Sequence, residues 1–371
     1  MEFAAFILLA GVLFLSYANG ANDNFKGVAT LYGSRTAEYR GALWWATATT
    51  FAGAVAAFFL ATKLAKNFSG SGLVPSELVS NPGFLATVAL AAAITVQLAT
   101  RLGIPISTTH ALVGSLVGAG LAGAGGHIAF ARLNQTFLVP LIASPFMSLA
   151  LTIALYPLLR RARRGLGVTR ETCLCVGETA RPVRVVEQGG QVFFQSSGVA
   201  LTIDQKSQCM EQYQGTVFGV SAQSVLDRLH FLSAGAVSFA RGLNDAPKIF
   251  GLLVVAQFIE PNLGVLLVGI MMAVGGLLNA RRVAESMSRK ITPMNHGQGL
   301  TANFVTAGLV IAASRFGLPV STTHVSVGSL FGLGICTGKA RWKMIATILV
   351  AWVTTLPLAA LIAAALARIL I

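Results

Sequence analysis

Ser107, Thr108, Thr109 and His110 form a hydroxyl-rich run just after Pro105, and the same residue types return as Ser321, Thr322, Thr323 and His324 after Pro319. A proline at the head of a short apolar helix fits the first helical turn, where the hydroxyls lie beside backbone N–H groups that lack an intrahelical partner. Such a helix end carries roughly half a positive charge and free donors, so it attracts anions. Two such ends brought together would cage one tetrahedral oxyanion. The alternative is that Ser and Thr only cap a broken helix or pack between membrane helices. Two copies with matching Pro, Ser, Thr, Thr and His favour the binding site. His110 and His324 either relay protons or lock the loop by a hydrogen bond, and the structural role is preferred. The run contains no paired nucleophile and carboxylate, which argues against a hydrolase triad.

A second duplicated motif supplies carboxylates and cations. Ser16-Tyr-Ala-Asn-Gly-Ala-Asn-Asp23 returns as Ser238-Phe-Ala-Arg-Gly-Leu-Asn-Asp245, displaced by 222 positions, while the Ser-Thr-Thr-His runs are displaced by 214. Two motifs in one order at nearly one offset mark an internal duplication. Asp23 and Asp245 lie deep in apolar sequence, where an ionised carboxylate is costly, so each pairs with a cation or helps bind substrate. Lys26 and Lys248 follow three residues later, a spacing that makes them helical neighbours of the aspartates. They are either ion-pair partners or members of a coupling site. Asn22 and Asn244 can orient the aspartates or donate to an anion.

The elements that position these residues must cross a membrane. With 54% hydrophobic residues, 11% charged residues and 39 glycines, and a mean hydropathy of +0.71, the chain is too apolar for a soluble globule of this length. It is expected to be an all-α polytopic protein. The net charge of +14 sits between apolar runs, where it reports topology, and no basic patch is interleaved with aromatics, which argues against nucleic acid as a partner. Runs of spanning length fall at 3–32, 41–62, 84–102, 105–123 and 136–159, then at 228–257, 262–280, 300–315, 318–336 and 344–368. The first lacks a basic leader and a small-residue cleavage site, so it reads as a membrane helix. The runs from Pro105 and Pro319 either cross or form re-entrant hairpins.

With ten crossings and the N-terminus outside, fifteen Lys and Arg fall in the inside connections and five outside. That bias places both termini outside. Five crossings per copy make the copies run oppositely, the inverted-repeat plan of secondary transporters with substrate held near the midplane. The expected organisation is a membrane repeat at 1–160, a cytoplasmic insert at 161–227 and an inverted repeat at 228–371. The insert reads as β-rich, with a hairpin formed by 183–187 and 191–195 and a strand at 199–203. It holds Cys173, Cys175 and Cys209, while Cys336 lies in a membrane run. Free thiols are expected in a reducing cytoplasm, the alternative being a metal or redox site.

The Gly-Ala-Asn-Asp23 and Gly-Leu-Asn-Asp245 segments, with the two Pro-X-Ser-Thr-Thr-His segments, resemble the inorganic phosphate transporter family, also called PiT or Pho4. The likeness covers both membrane halves and leaves the insert outside. It implies an inverted-repeat permease, commonly a homodimer, that moves phosphate with sodium or protons; relatives also carry sulfate. It assigns substrate and ion roles to Asn22, Asp23, Ser107, Thr108, Thr109, Asn244, Asp245, Ser321, Thr322 and Thr323. Many members have Asn three residues after each aspartate, where this chain has Lys26 and Lys248. Many also carry glutamates at positions occupied here by Thr50 and Asn303. These departures weigh against sodium coupling.

The expectation is therefore a phosphate importer of the plasma or inner membrane, working by alternating access with a proton as coupling ion and no cofactor. The coupling candidates are Asp23, Asp245, Lys26, Lys248, His110 and His324. Rival readings are a sulfate or other oxyanion permease, a sodium symporter, a sensor resting on the insert, and a membrane enzyme acting on a phosphorylated substrate. Duplicated polar motifs suit alternating access better than a catalytic site.

Overall fold

The structure, a computed structural model, describes residues 2–123, 128–167, 220–256 and 259–371 continuously, and between 168 and 219 only short strand segments. It divides into two compact units, Met1–Arg160 with Leu226–Ile371, and Arg161–Val225. The larger unit is helical. Its first half contains α1 (Glu2–Asp23), a 3₁₀ turn (Asn24–Val28), α2 (Ala29–Gly33), α3 (Tyr39–Leu60), α4 (Thr62–Phe68), α5 (Ser76–Val79), α6 (Pro82–Arg101) and α7 (Thr108–Gly123). There follow α8 (Phe130–Arg132), a π-helical stretch (Leu133–Leu138) and α9 (Val139–Gly165), which ends in the smaller unit. The second half contains α10 (Ala222–Ala256), α11 (Pro261–Asn279), α12 (Arg281–Arg289), α13 (His296–Phe316), α14 (Thr322–Thr337) and α15 (Trp342–Leu370).

Local chemistry sets several helix starts. The Asn81 side chain accepts the Gly83 N–H at 2.8 Å ahead of Pro82. Asn295 and Gln298 form a reciprocal capping box at the head of α13. Seven helical stretches among the described residues are long and apolar enough to cross a membrane, from Phe3–Gly33 to Trp342–Leu370. This is a multi-pass membrane protein.

Ten spanning runs were expected, and four differ from a simple spanning helix. α7 and α14 have 16 residues each, about 24 Å at the helical rise of 1.5 Å per residue, which is short of a hydrocarbon core of about 30 Å. α10 is 35 residues long but carries Arg241, Asp245 and Lys248 in its interior, too much charge for a simple lipid-facing span. The first run is also not one helix, because it breaks into the 3₁₀ turn directly after Asp23.

Close backbone approach fixes the site's framework. α1 packs on α6 and α11, and α7 packs on α15 and α6. A Cβ on Gly20 would lie 1.9 Å from the Met272 carbonyl oxygen, and one on Gly275 would lie 1.9 Å from that of Tyr17. The α1–α11 contact therefore needs glycine on both helices, as expected where membrane helices gain no hydrophobic drive against lipid.

In the smaller unit, Thr169–Glu171 pairs antiparallel with Gln212–Gln214, Val176–Gly177 with Ala200–Leu201, and Glu187–Gln188 with Gln191–Val192. The expected hairpin is described only over that last two-residue ladder, and the expected strand at 199–203 only at Ala200–Leu201. The rest of those segments, with Cys173, Cys175 and Cys209, lies outside the described residues. Cys336, on α14, is a free thiol.

Candidate functional site

The end of α1 delivers Asn19, Asn22 and Asp23, and the 3₁₀ turn swings Lys26 inward. The middle of α10 delivers Arg241, Asn244, Asp245 and Lys248. Ser107 and Ser321, the latter extended, lead into α7 and α14, after glycines at 103 and 317 in the left-handed region with φ of 68° and 74°. All the sequence-predicted hydroxyl, Asn, Asp and Lys residues are buried, none more than 6% exposed.

The duplicated motifs meet by exchanging side chains. Lys26 Nζ pairs with Asp23 Oδ1, then reaches the Ile106 carbonyl at 2.7 Å and Thr323 Oγ1 of the other copy at 2.6 Å. Lys248 Nζ mirrors this, with Asp245 Oδ1 at 3.4 Å, the Val320 carbonyl at 2.7 Å and Thr109 Oγ1 at 2.7 Å. Asn22 Nδ2 donates to the Ile104 carbonyl at 3.1 Å, and Asn244 Nδ2 donates to the Val320 carbonyl at 3.2 Å. Each lysine thus joins its own aspartate to the first turn of the opposite copy's short helix.

Ser107 Oγ accepts the His110 N–H and Ser321 Oγ accepts the His324 N–H, each at 3.2 Å. Both serines are N-caps. Ser321→Ala is expected to cost about 1 kcal/mol through the lost cap and to weaken phosphate uptake, as is Ser107→Ala. Thermal melting of the purified protein and radiolabelled uptake at matched expression read the two effects. Unchanged uptake affinity in either variant would reduce that serine to a cap.

The threonines differ. Thr108 Oγ1 donates to Asp23 Oδ2 at 3.2 Å, whereas Asp245 Oδ2 accepts from Asn19 Nδ2 at 3.3 Å and faces Arg241 Nε at 3.7 Å. Thr322 is buried at the equivalent place. Asn19 Nδ2 also lies 3.1 Å from Asp23 Oδ2 and 3.0 Å from Thr108 Oγ1. One amide therefore gathers carboxylates from both copies.

His110 and His324 turn elsewhere. Their rings lie 4.4 Å apart, and His324 stacks on Trp352 at 3.7 Å. They line a cavity of about 500 Å³ with Leu141, Pro145 and Leu356. None of the aspartate or lysine hydrogen bonds described above involves an imidazole. Among the described residues no group of three or more His, Cys, Asp or Glu is placed to hold a metal ion.

Sequence reasoning missed Asn19 and Arg241. The signal was present, because they occupy equivalent places in the duplicated eight-residue motif and are its one uncharged-to-charged mismatch. Thr50 and Asn303, singled out as departures, both lie in buried polar networks. Thr50 Oγ1 accepts from Arg241 at 3.2 Å, and Asn303 joins Thr30 and Ser233 at 3.0 Å each.

Comparison with known proteins agrees with this geometry. The chain is 30% identical over 370 residues to a protein of Rhizobium meliloti named a probable low-affinity inorganic phosphate transporter, covering 96% of this chain and 93% of that one. It is 26% identical to the chloroplastic inorganic phosphate transporter 2-1 of Arabidopsis thaliana, over 94% of this chain and 69% of that one. A solved structure described as the sodium-dependent phosphate transporter shares the fold, with a TM-score of 0.75 at 20% identity and 99% of each chain covered. The model of the phosphate transporter family, PHO4, matches residues 19–363, and the chain belongs to that family.

Proposed function

We propose that this protein imports inorganic phosphate across the plasma or inner membrane by alternating access, in symport with protons. The observation that carries this reading is the aim of the two lysines. Lys26 and Lys248 each place an ammonium against the first turn of a short buried helix. Both partners there are positive, since a helix N-terminus carries roughly half a charge. A tetrahedral oxyanion between the two ends turns that repulsion into attraction, with the Ser, Thr and backbone N–H groups as donors. The names of the relatives identify phosphate as the anion.

In this reading 1–160 and 228–371 are inverted repeats that rock about the shared site, both termini lie outside, and 161–227 is cytoplasmic. A homodimer in the bilayer is the expected assembly. Ser107, Thr108, Thr109, Ser321, Thr322, Thr323, Asn22 and Asn244 hold the anion. Asp23 and Asp245 are the first candidates to carry the coupling proton; His110 and His324 follow, because they face another cavity.

Proteoliposomes decide the coupling ion. Uptake of labelled phosphate is expected to follow an inward proton gradient and to be unchanged when choline replaces sodium. Phosphate accumulation driven by sodium at clamped pH would overturn the proton reading, and formation of a phosphorylated or hydrolysed product would favour a membrane enzyme. Sodium symport is the second reading, supported by the description of the structural neighbour as sodium-dependent. The lysines oppose it, because they already supply cations to both aspartates.

A further inference from the structure

Arg241 is one of the largest fully buried side chains, and it is 1% exposed. Its guanidinium is ringed by oxygens from three elements besides its own. Nη2 donates to Asn19 Oδ1 at 2.7 Å, and Nη1 donates to Asn24 Oδ1 and Thr50 Oγ1 at 3.2 Å each. Asp245 Oδ2 stands 3.7 Å from Nε, which has no hydrogen-bond partner among the described residues. The two amides are fixed with their oxygens inward, because Asn19 Nδ2 is committed to Asp23 and Thr108 and Asn24 Nδ2 to Thr47.

Neutral oxygens and a carboxylate are the ligand type that hard cations take, and oxygen ligands of this kind hold coupling ions in transporters. A guanidinium cannot be deprotonated in a protein, so the charge is permanent. It also changes the balance of the site. Asp23 and Asp245 face Lys26, Lys248 and Arg241, which leaves one positive charge in surplus in a cluster where no member is more than 4% exposed. A buried surplus of that sign is costly alone and is neutralised by an arriving monoanion.

We propose that Arg241 is a tethered cation occupying an oxygen cage fit for a transported one, so that this chain needs no co-transported metal ion to accept phosphate. The inference rests on the reading of the motif cluster as the phosphate site. In the first repeat the equivalent position is Asn19, which makes Arg241→Asn the natural variant. It removes the charge and leaves the cage oxygens of Asn19, Asn24, Thr50 and Asp245.

The test compares phosphate binding and uptake of the purified full-length protein in sodium, lithium or choline. The unaltered protein and Arg241→Lys are expected to give a sodium-to-choline ratio near one at whatever rate each retains. Arg241→Asn is expected to gain a sodium or lithium dependence of about five- to 150-fold, the usual range for coupled ligands. Its thermal melting should rise with sodium and not with choline. Arg241→Ser, purified in sodium, is the second variant should Arg241→Asn be recovered poorly.

Variants whose phosphate binding and melting ignore sodium and lithium would overturn the proposal, as would variants that fold in no cation, since the side chain would then be only a strut. Sodium-driven uptake by the unaltered protein would overturn the proton coupling proposed above and this inference with it. Cation-indifferent variants beside a sodium-indifferent parent would overturn this inference alone. Absence of phosphate binding by the parent in every cation would overturn the phosphate reading on which it rests.

Discussion

Lys26→Met is expected to abolish phosphate uptake and to destabilise the protein by about 3–5 kcal/mol, the usual cost of leaving one partner of a buried ion pair alone. Asp23 would keep only neutral direct donors, Asn19 and Thr108. The substitution also cuts the tie to Ile106 and Thr323, through which the end of α1 holds the start of α14. Lys248→Met should be milder in stability, because Asp245 retains Arg241 at 3.7 Å. The double variant Lys26→Met with Asp23→Asn should recover much of the melting temperature, since no unpaired charge is left, while uptake stays lost. Melting of the detergent-solubilised protein and labelled uptake separate the two effects. Normal uptake by Lys26→Met would remove the lysines from the transport site.

How far these residues could be read from sequence depends on what a spacing encodes. Asp and Lys three apart offered ion pairing as one of two readings, and both pairs form, because the distance is local to one turn. The duplication predicted that the four motifs belong to one site. Neither could reveal that each lysine crosses to the opposite copy, since that depends on where residues more than a hundred positions away are placed. Arg241 was hidden for another reason. It stands in the duplicated motif where the first copy has Asn19, so neither copy vouches for the other, and only its four-residue offset to Asp245 and the oxygens of three other elements make it part of the site. Hydropathy also could not separate full crossings from shorter buried helices, since α7 and α14 are as apolar as their neighbours but have only 16 residues each. Nor could spacing reveal that His110 and His324 lie against each other and that His324 stacks on Trp352, because those contacts join distant parts of the chain.

Phosphate is expected to outcompete sulfate about 10- to 100-fold at pH 7, a margin that corresponds to one hydrogen bond to a charged group at roughly 1.5–3 kcal/mol. The two anions have the same shape, but phosphate still carries a proton to donate and sulfate carries none. A carboxylate offers about four lone-pair sites. Asp23 uses three, on Lys26, Asn19 and Thr108. Asp245 uses three, on Asn244, Lys248 and Asn19. The remaining position on Asp245 Oδ2 faces Arg241 Nε at 3.7 Å, whereas Asp23 keeps one open, and the phosphate hydroxyl is the donor that fits it; sulfate would place an unprotonated oxygen against that same lone pair. Competition of unlabelled sulfate against labelled phosphate uptake measures the margin directly. Equal inhibition by the two anions would mean that both aspartates are spent on their cations and amides, and the protein would then be a general oxyanion permease. Discrimination that survives in Asp23→Asn and in Asp245→Asn alike would move the selecting acceptor away from both carboxylates.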